Sequence, residues 1–174
     1  TGLLALPASR APDQPALTIV DAAFTATSAC CVTGLTVRST VEDFSPFGQG
    51  VILMLIQLGG LGIMTITTLL IFQIGGEATV RQRAVIAETL GIKSARGLRQ
   101  LALMVLVVVL CSELIGFLLL TAATWGTREP FEVIWRAAFH SVSAFCNAGF
   151  SLGDDSLVAY NTDVPVNLII CGLI

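Results

Sequence analysis

Two short runs are places where the backbone itself can do chemistry: Val32-Thr33-Gly34-Leu35 and Asn147-Ala148-Gly149-Phe150. Each follows an apolar segment interspersed with serine, and each carries one glycine. Turning successive carbonyl oxygens toward one axis takes the chain out of the ordinary helix and strand basins, which only glycine does at little cost. A ring of such oxygens replaces the hydration shell of a monovalent cation. Neither run holds an acidic side chain, so ion selection there would fall to backbone oxygens. Standing alone, either glycine reads equally as a helix C-cap or a tight turn.

Other reactive groups are sparse. Glu113 lies near the middle of an apolar stretch, where an ionisable side chain is costly and points to function. Three roles are open to it: pairing with a basic or polar group supplied from outside this chain, serving as a protonated hydrogen-bond donor, or touching an ion path. His140, the one histidine, is open to a packed structural role or to pH sensing. The five cysteines, at 30, 31, 111, 146 and 171, form no CxxC pair or metal-spaced cluster and are expected as buried small apolar residues. Gln57-Leu58-Gly59-Gly60-Leu61-Gly62 lacks the strand-to-helix setting of a nucleotide loop and is expected to serve close helix packing. No nucleophile motif accompanies Glu113 or His140, so an intramembrane enzyme is disfavoured and no cofactor is expected.

The elements that must position these groups belong in lipid. Of 174 residues, 55% are hydrophobic and 12% charged, against about 25% charged in soluble domains, and the mean hydropathy is +0.86. A scattered net charge of -3 gives no nucleic-acid surface. Positions 51–74 form 24 residues without a charge, reaching about 36 Å across a hydrocarbon core of about 30 Å. Positions 101–123 form a second such stretch, interrupted only by Glu113. Between them, 75–100 carries Arg81, Arg83, Lys93, Arg96 and Arg99 against Glu77 and Glu88, which makes this linker cytoplasmic by the positive-inside rule. Within it, 80–91 has the pattern of an amphipathic helix. Two moderately apolar segments, 18–37 and 133–152, carry too many polar groups to span; both enter from the outer side and must return there.

An internal repeat joins these features. Offsetting the chain by 115 residues sets 15–37 on 130–152 with nine of 23 positions identical, among them Ser28/Ser143, Cys31/Cys146 and Gly34/Gly149; about two are expected by chance in so apolar a composition. The same offset places 1–7 on the end of a span and 164–174 on the start of one, so the chain is expected to be a fragment of about two units. The fold expected is all-α and integral to the membrane, built of helix, re-entrant pore loop and helix. Its first repeat is 1–74, its linker 75–100 and its second repeat 101–174, with the last helix starting at 164. A half-helix over 21–31 would end at membrane depth with its partly negative C-terminus toward a cation. Irregular backbone survives at that depth only when buried in protein or lining a watery path. A carrier with alternating access is the competing reading; parallel units that each hold a half-helix and a glycine favour a pore.

The stretches FTATSACCVTGLTV, FGQGVILMLIQLGGLGIMT and FHSVSAFCNAGFSL closely resemble the Trk/Ktr/HKT superfamily of potassium transporters, in particular the bacterial Trk/Ktr membrane subunit. The resemblance covers nearly the whole chain. It implies four successive helix, pore-loop, helix repeats around one pore, of which these would be the first two, in a multi-pass protein of the bacterial plasma membrane. It implies that carbonyls of Val32, Thr33 and Gly34, with those of Asn147, Ala148 and Gly149, face potassium, the transported substrate. Glycine at 34, where some plant sodium-selective relatives have serine, favours potassium. The resemblance further implies a homodimer of membrane subunits on a cytoplasmic ring of nucleotide-binding regulatory subunits. It places the gating helix in later repeats.

Overall fold

A computed structural model describes residues 1–12, 14–74, 95–153 and 156–174, with side chains described at those positions outside 64–102. The regular structure described is helical: α1 (Ile19–Cys30), α2 (Pro46–Ile74), α3 (Ala95–Thr124), α4 (Pro130–Phe145) and α5 (Val164–Leu173), with single 3-10 turns at Pro7–Ser9 and Val158–Tyr160. Among the described residues there is no strand, only an isolated bridge between Arg10 and Phe44.

α2 and α3 contain apolar windows long enough to cross a membrane, Pro46–Ile63 and Leu103–Thr124. Both helices run past the apolar stretches that mark them in the sequence. α3 starts at Ala95, six residues before the apolar run, because Ala95, Arg96, Leu98, Arg99 and Gln100 are good helix formers whether or not lipid surrounds them. The last residues of the expected linker therefore belong to a helix. The rest of the basic stretch, with the amphipathic pattern of 80–91, lies outside the described residues. Residues 1–7, expected as the end of a span, contribute one turn, with the Ala5 N–H donating to the Thr1 carbonyl, before the 3-10 turn begins at Pro7.

α1 and α4 are too short to span. Their 12 and 16 residues reach about 18 and 24 Å, against about 30 Å of hydrocarbon. α1 begins in a capping box: the Asp21 N–H donates to Thr18 Oγ1 at 3.0 Å and the Thr18 N–H to Asp21 Oδ2 at 3.4 Å. Hydrogen bonding to Thr18, followed by the charge of Arg38 3.4 Å away, holds the Asp21 carboxyl below its ordinary value. α4 begins on Pro130, whose missing N–H is no loss in a first turn. Asp163 caps α5 by accepting the Val166 N–H at 3.2 Å.

The chain divides into two compact units, Thr1–Gly60 with Ser112–Ile174, and Leu61–Cys111. The core of the first gathers Leu4, Phe44, Ile52, Ile56, Phe139, Phe150 and Leu152 around the alanines of α1, with a smaller cluster of Leu120, Ala137, Val166 and Ile170. In this unit Gly59 and Gly60 bring α2 against the C-terminal ends of both short helices. A Cβ at Gly59 would collide with the Cys30 carbonyl oxygen, and one at Gly60 would lie 2.6 Å from Cys146 Sγ. The glycines thus serve close packing, against half-length helices rather than another full span. In the second unit, Leu103, Met104, Val107, Val108 and Leu110 are exposed, a surface suited to lipid. Of the five cysteines only Cys146 is buried, contrary to the expectation of burial: Cys30 and Cys31 sit where α1 ends and the first run begins, and Cys111 and Cys171 on faces of α3 and α5 that none of the described residues covers.

Candidate functional site

α1 and α4 end in the same way, 115 residues apart. After α1, the N–H groups of Cys31, Val32 and Thr33 donate to the carbonyls of Thr27, Ala29 and Ser28 at 2.8, 3.2 and 3.0 Å. After α4, those of Cys146, Asn147 and Ala148 donate to Val142, Ala144 and Ser143 at 2.9, 2.9 and 2.7 Å. This is a Schellman ending, whose left-handed residue is usually glycine. Here it is Val32, with φ +56°, and Asn147, with φ +55°. Asparagine tolerates that basin; a β-branched valine there is an outlier, a strain of about 1–2 kcal/mol. Gly34 and Gly149 follow with φ +72° and +74°. Both runs therefore have positive φ at their first and third residues but not at their second.

The two runs meet. A Cβ on Gly34 would stand 2.7 Å from the Ala148 carbonyl oxygen and 3.0 Å from Gly149 Cα, and one on Gly149 would stand 3.2 Å from Gly34 Cα. Thr33, Asn147 and Gly149 are exposed, Val32 and Gly34 half-buried and Ala148 buried. A cavity of about 130 Å³ opens beside the second run, bordered by His140, Ser143, Asn147 and Gly149 among others.

Side chains behind the runs hold them. Ser28 Oγ donates to the Leu35 carbonyl at 2.6 Å, and Ser143 Oγ to the Phe150 carbonyl at 2.6 Å. Beyond that matched pair the two loops differ. Arg38 ties the first to Asp21 of α1. In the second, Arg136 Nη2 donates to the Leu152 carbonyl, while His140 Nε2 accepts the Leu152 N–H at 3.3 Å and lies 3.0 Å from Ser151 Oγ. Accepting an amide N–H needs a free lone pair on Nε2, so His140 sits there as the neutral Nδ1–H tautomer. His140 is buried, its ring edge-on to Phe139.

Glu113 is buried behind the second run. Gln57 Nε2 of α2 donates to its Oε2 at 3.2 Å, and the Cys146 thiol lies 4.0 Å from its Oε1. None of the ion pairs among the described residues includes it. Its backbone carbonyl accepts the Ser141 hydroxyl at 2.6 Å. Its partner is thus an amide from this same chain, 56 positions away, which no local pattern in the sequence announces. Ser28 and Ser143 are identical residues in the repeat, but their role as braces depends on the chain turning back across them, which no local pattern announces. No group of His, Cys, Asp and Glu able to hold a metal occurs among the described residues.

Residues 4–174 match the family model TrkH, described as cation transport protein. The chain is 39% identical over 158 residues to Ktr system potassium uptake protein B of Vibrio alginolyticus, covering 90% of this chain and 34% of that protein. It is 38% identical over 155 residues to potassium/sodium uptake protein NtpJ of Enterococcus hirae, covering 89% and 34%. It is 39% identical over 154 residues to Ktr system potassium uptake protein B of Bacillus subtilis, covering 88% and 35%. The chain therefore spans about a third of the length of these curated relatives. With a family match over nearly its whole length and two helices fit to cross a bilayer, the chain is a membrane protein belonging to the TrkH family of cation transport proteins, which are transporters and not enzymes.

Proposed function

We propose that this chain builds part of a pore that takes potassium across the bacterial plasma membrane, with backbone carbonyls of Val32, Thr33, Gly34, Asn147, Ala148 and Gly149 lining the ion path. The observation that carries the reading is the duplicated loop geometry: two runs with the same helix ending and the same φ signs, meeting glycine to glycine. Alternating hands turn neighbouring peptide units the same way, where an extended strand would point them oppositely, and aligned carbonyls are what a dehydrated cation needs. The C-termini of α1 and α4 add partial negative charge beside the runs. Both short helices enter and return on the outer face, each within a helix, loop, helix unit. The names of the relatives, potassium uptake and potassium/sodium uptake, support this cargo.

In the same reading 75–100 is cytoplasmic, Glu113 is a structural group behind the filter, and further units complete the pore. The membrane subunits pair as a homodimer on a ring of nucleotide-binding regulatory subunits. The test uses the full-length protein in cells without other potassium uptake. Gly34→Ser is expected to weaken discrimination against sodium, whereas Gly50→Ser, whose Cβ would meet nothing nearer than the Trp135 ring at 3.8 Å, leaves it intact. Unchanged selectivity in a well-expressed Gly34→Ser protein would remove these residues from the ion path.

A further inference from the structure

We propose that Ser28 and Ser143 are positioning residues for ion selection, each holding its run in the geometry that aims the carbonyls; the proposal rests on the filter reading above. Each serine grips its loop twice. Its backbone carbonyl accepts the N–H of the residue before the glycine, Thr33 at 3.0 Å or Ala148 at 2.7 Å. Its hydroxyl donates to the carbonyl of the residue after the glycine, Leu35 or Phe150, at 2.6 Å in both. Gly34 and Gly149 are bracketed between two fixed neighbours, which restrains the torsions that glycine would otherwise leave free.

This is not what a helical hydroxyl does by default. Thr121 and Thr124 in α3 bond back to the carbonyls four residues earlier, Phe117 and Leu120, at 2.7 and 2.8 Å, the common local habit of such side chains. Ser28 and Ser143 instead reach forward seven residues, out of the helix and across the loop. Both are buried, at 4% exposure, so no water competes for the bond. The first brace is also reinforced. Ser28 has one hydroxyl proton, given to Leu35, so its 3.0 Å contact with Thr33 Oγ1 has Thr33 as donor. The result is a relay from Thr33 through Ser28 to Leu35, and it makes the Thr33 side chain a strut while its carbonyl stays free for the ion. Position 148 is alanine, so the brace at Ser143 has no counterpart to the Thr33 hydroxyl.

The experiment compares Ser28→Ala, Ser143→Ala, Ser28→Cys and Ser143→Cys in the full-length protein, with Gly34→Ser and Thr121→Ala beside them. Initial potassium and sodium uptake are measured at matched membrane protein levels. Alanine removes the hydroxyl; cysteine keeps the volume with a much weaker donor. The potassium-to-sodium ratio is expected to fall about fivefold in both alanine variants, the equivalent of one ordinary net hydrogen bond. The cysteine variants should share most of the loss and carry the test if an alanine variant does not accumulate, while Thr121→Ala keeps the native ratio. Cysteine variants that match the native protein would show that the serines only fill space, and would overturn the proposal. A changed ratio in Gly34→Ser with unchanged ratios in all four serine variants would overturn the brace and spare the filter; no change in any of them would sink both.

Discussion

A methyl group added at Gly34 and one added at Gly149 make unequal demands on the same pair of loops. Both glycines have φ near +73°, at +72° and +74°, so alanine at either strains the backbone by about 1–2 kcal/mol. At Gly149 the added carbon would lie 3.2 Å from Gly34 Cα, a contact that small shifts relieve. At Gly34 it would lie 2.7 Å from the Ala148 carbonyl oxygen and 3.0 Å from Gly149 Cα, both backbone atoms of the facing run. That oxygen must retreat by about 0.5 Å or more to reach ordinary contact, and it is itself one of the proposed ion ligands. If backbone strain is relieved by loops leaving the aligned geometry, Gly149→Ala should lower potassium over sodium discrimination by about tenfold, one factor of ten for each 1.4 kcal/mol. Gly34→Ala carries the same strain plus the displaced oxygen and should lower it further, by about a hundredfold. Initial uptake of each ion by full-length protein, in cells without other potassium uptake and at equal membrane levels, measures both. Equal effects, or greater damage from Gly149→Ala, would refute the reasoning from contact geometry.

Two further outcomes follow from buried and capping groups. Glu113→Gln keeps an acceptor for Gln57 and is expected to leave protein levels and selectivity near native, whereas Glu113→Leu strands the Gln57 amide at a cost of about 1–3 kcal/mol; a leucine variant that resists heating in detergent as well as the native protein would rule out the pairing. Because the Asp21 carboxyl is held below its ordinary value in the folded state, its contribution is complete above the unfolded pKa and is lost as pH falls through the lowered one. Native protein and Asp21→Asn should therefore differ in thermal stability at about pH 7 and converge in strong acid, and a gap that widened on acidification would reverse the sign of this assignment.

Much of this architecture was legible because lipid imposes simple rules on a chain. The two long apolar runs announce α2 and α3, and the 115-residue offset announces that 18–37 and 133–152 are built alike. Helix ends were less legible: hydropathy marks where lipid begins, not where hydrogen bonding stops, so α3 starts at Ala95 and not at Leu101. The glycines at 34 and 149 signal a left-handed backbone, but Val32 does the opposite, since β-branching disfavours the basin it occupies at φ +56°. That conformation is imposed by the Schellman hydrogen bonds around it, which no propensity of valine records. The pairing of Gln57 with Glu113 was hidden for a different reason, being a tertiary contact between two spans.

Comparing the matched loops separates what the geometry demands from what it merely permits. The bracketing serines and the glycines where the runs meet agree between the copies, Ser28 with Ser143 and Gly34 with Gly149, although the left-handed residue that opens each run is Val32 in one and Asn147 in the other. Where a residue only ties the loop to its helix, they diverge. Asp21 in α1 accepts from Arg38 after the first run, while at the offset position Arg136 in α4 donates to the Leu152 carbonyl after the second. The charge on the helix is reversed and the partner changes from side chain to backbone, yet each link joins the first half of its helix to the segment leaving the loop. A tie can be made by any complementary pair that spans the gap. The bracket around the glycine is held to a narrower solution, because it must present a hydroxyl at the third residue from the helix end and leave no Cβ where the runs meet.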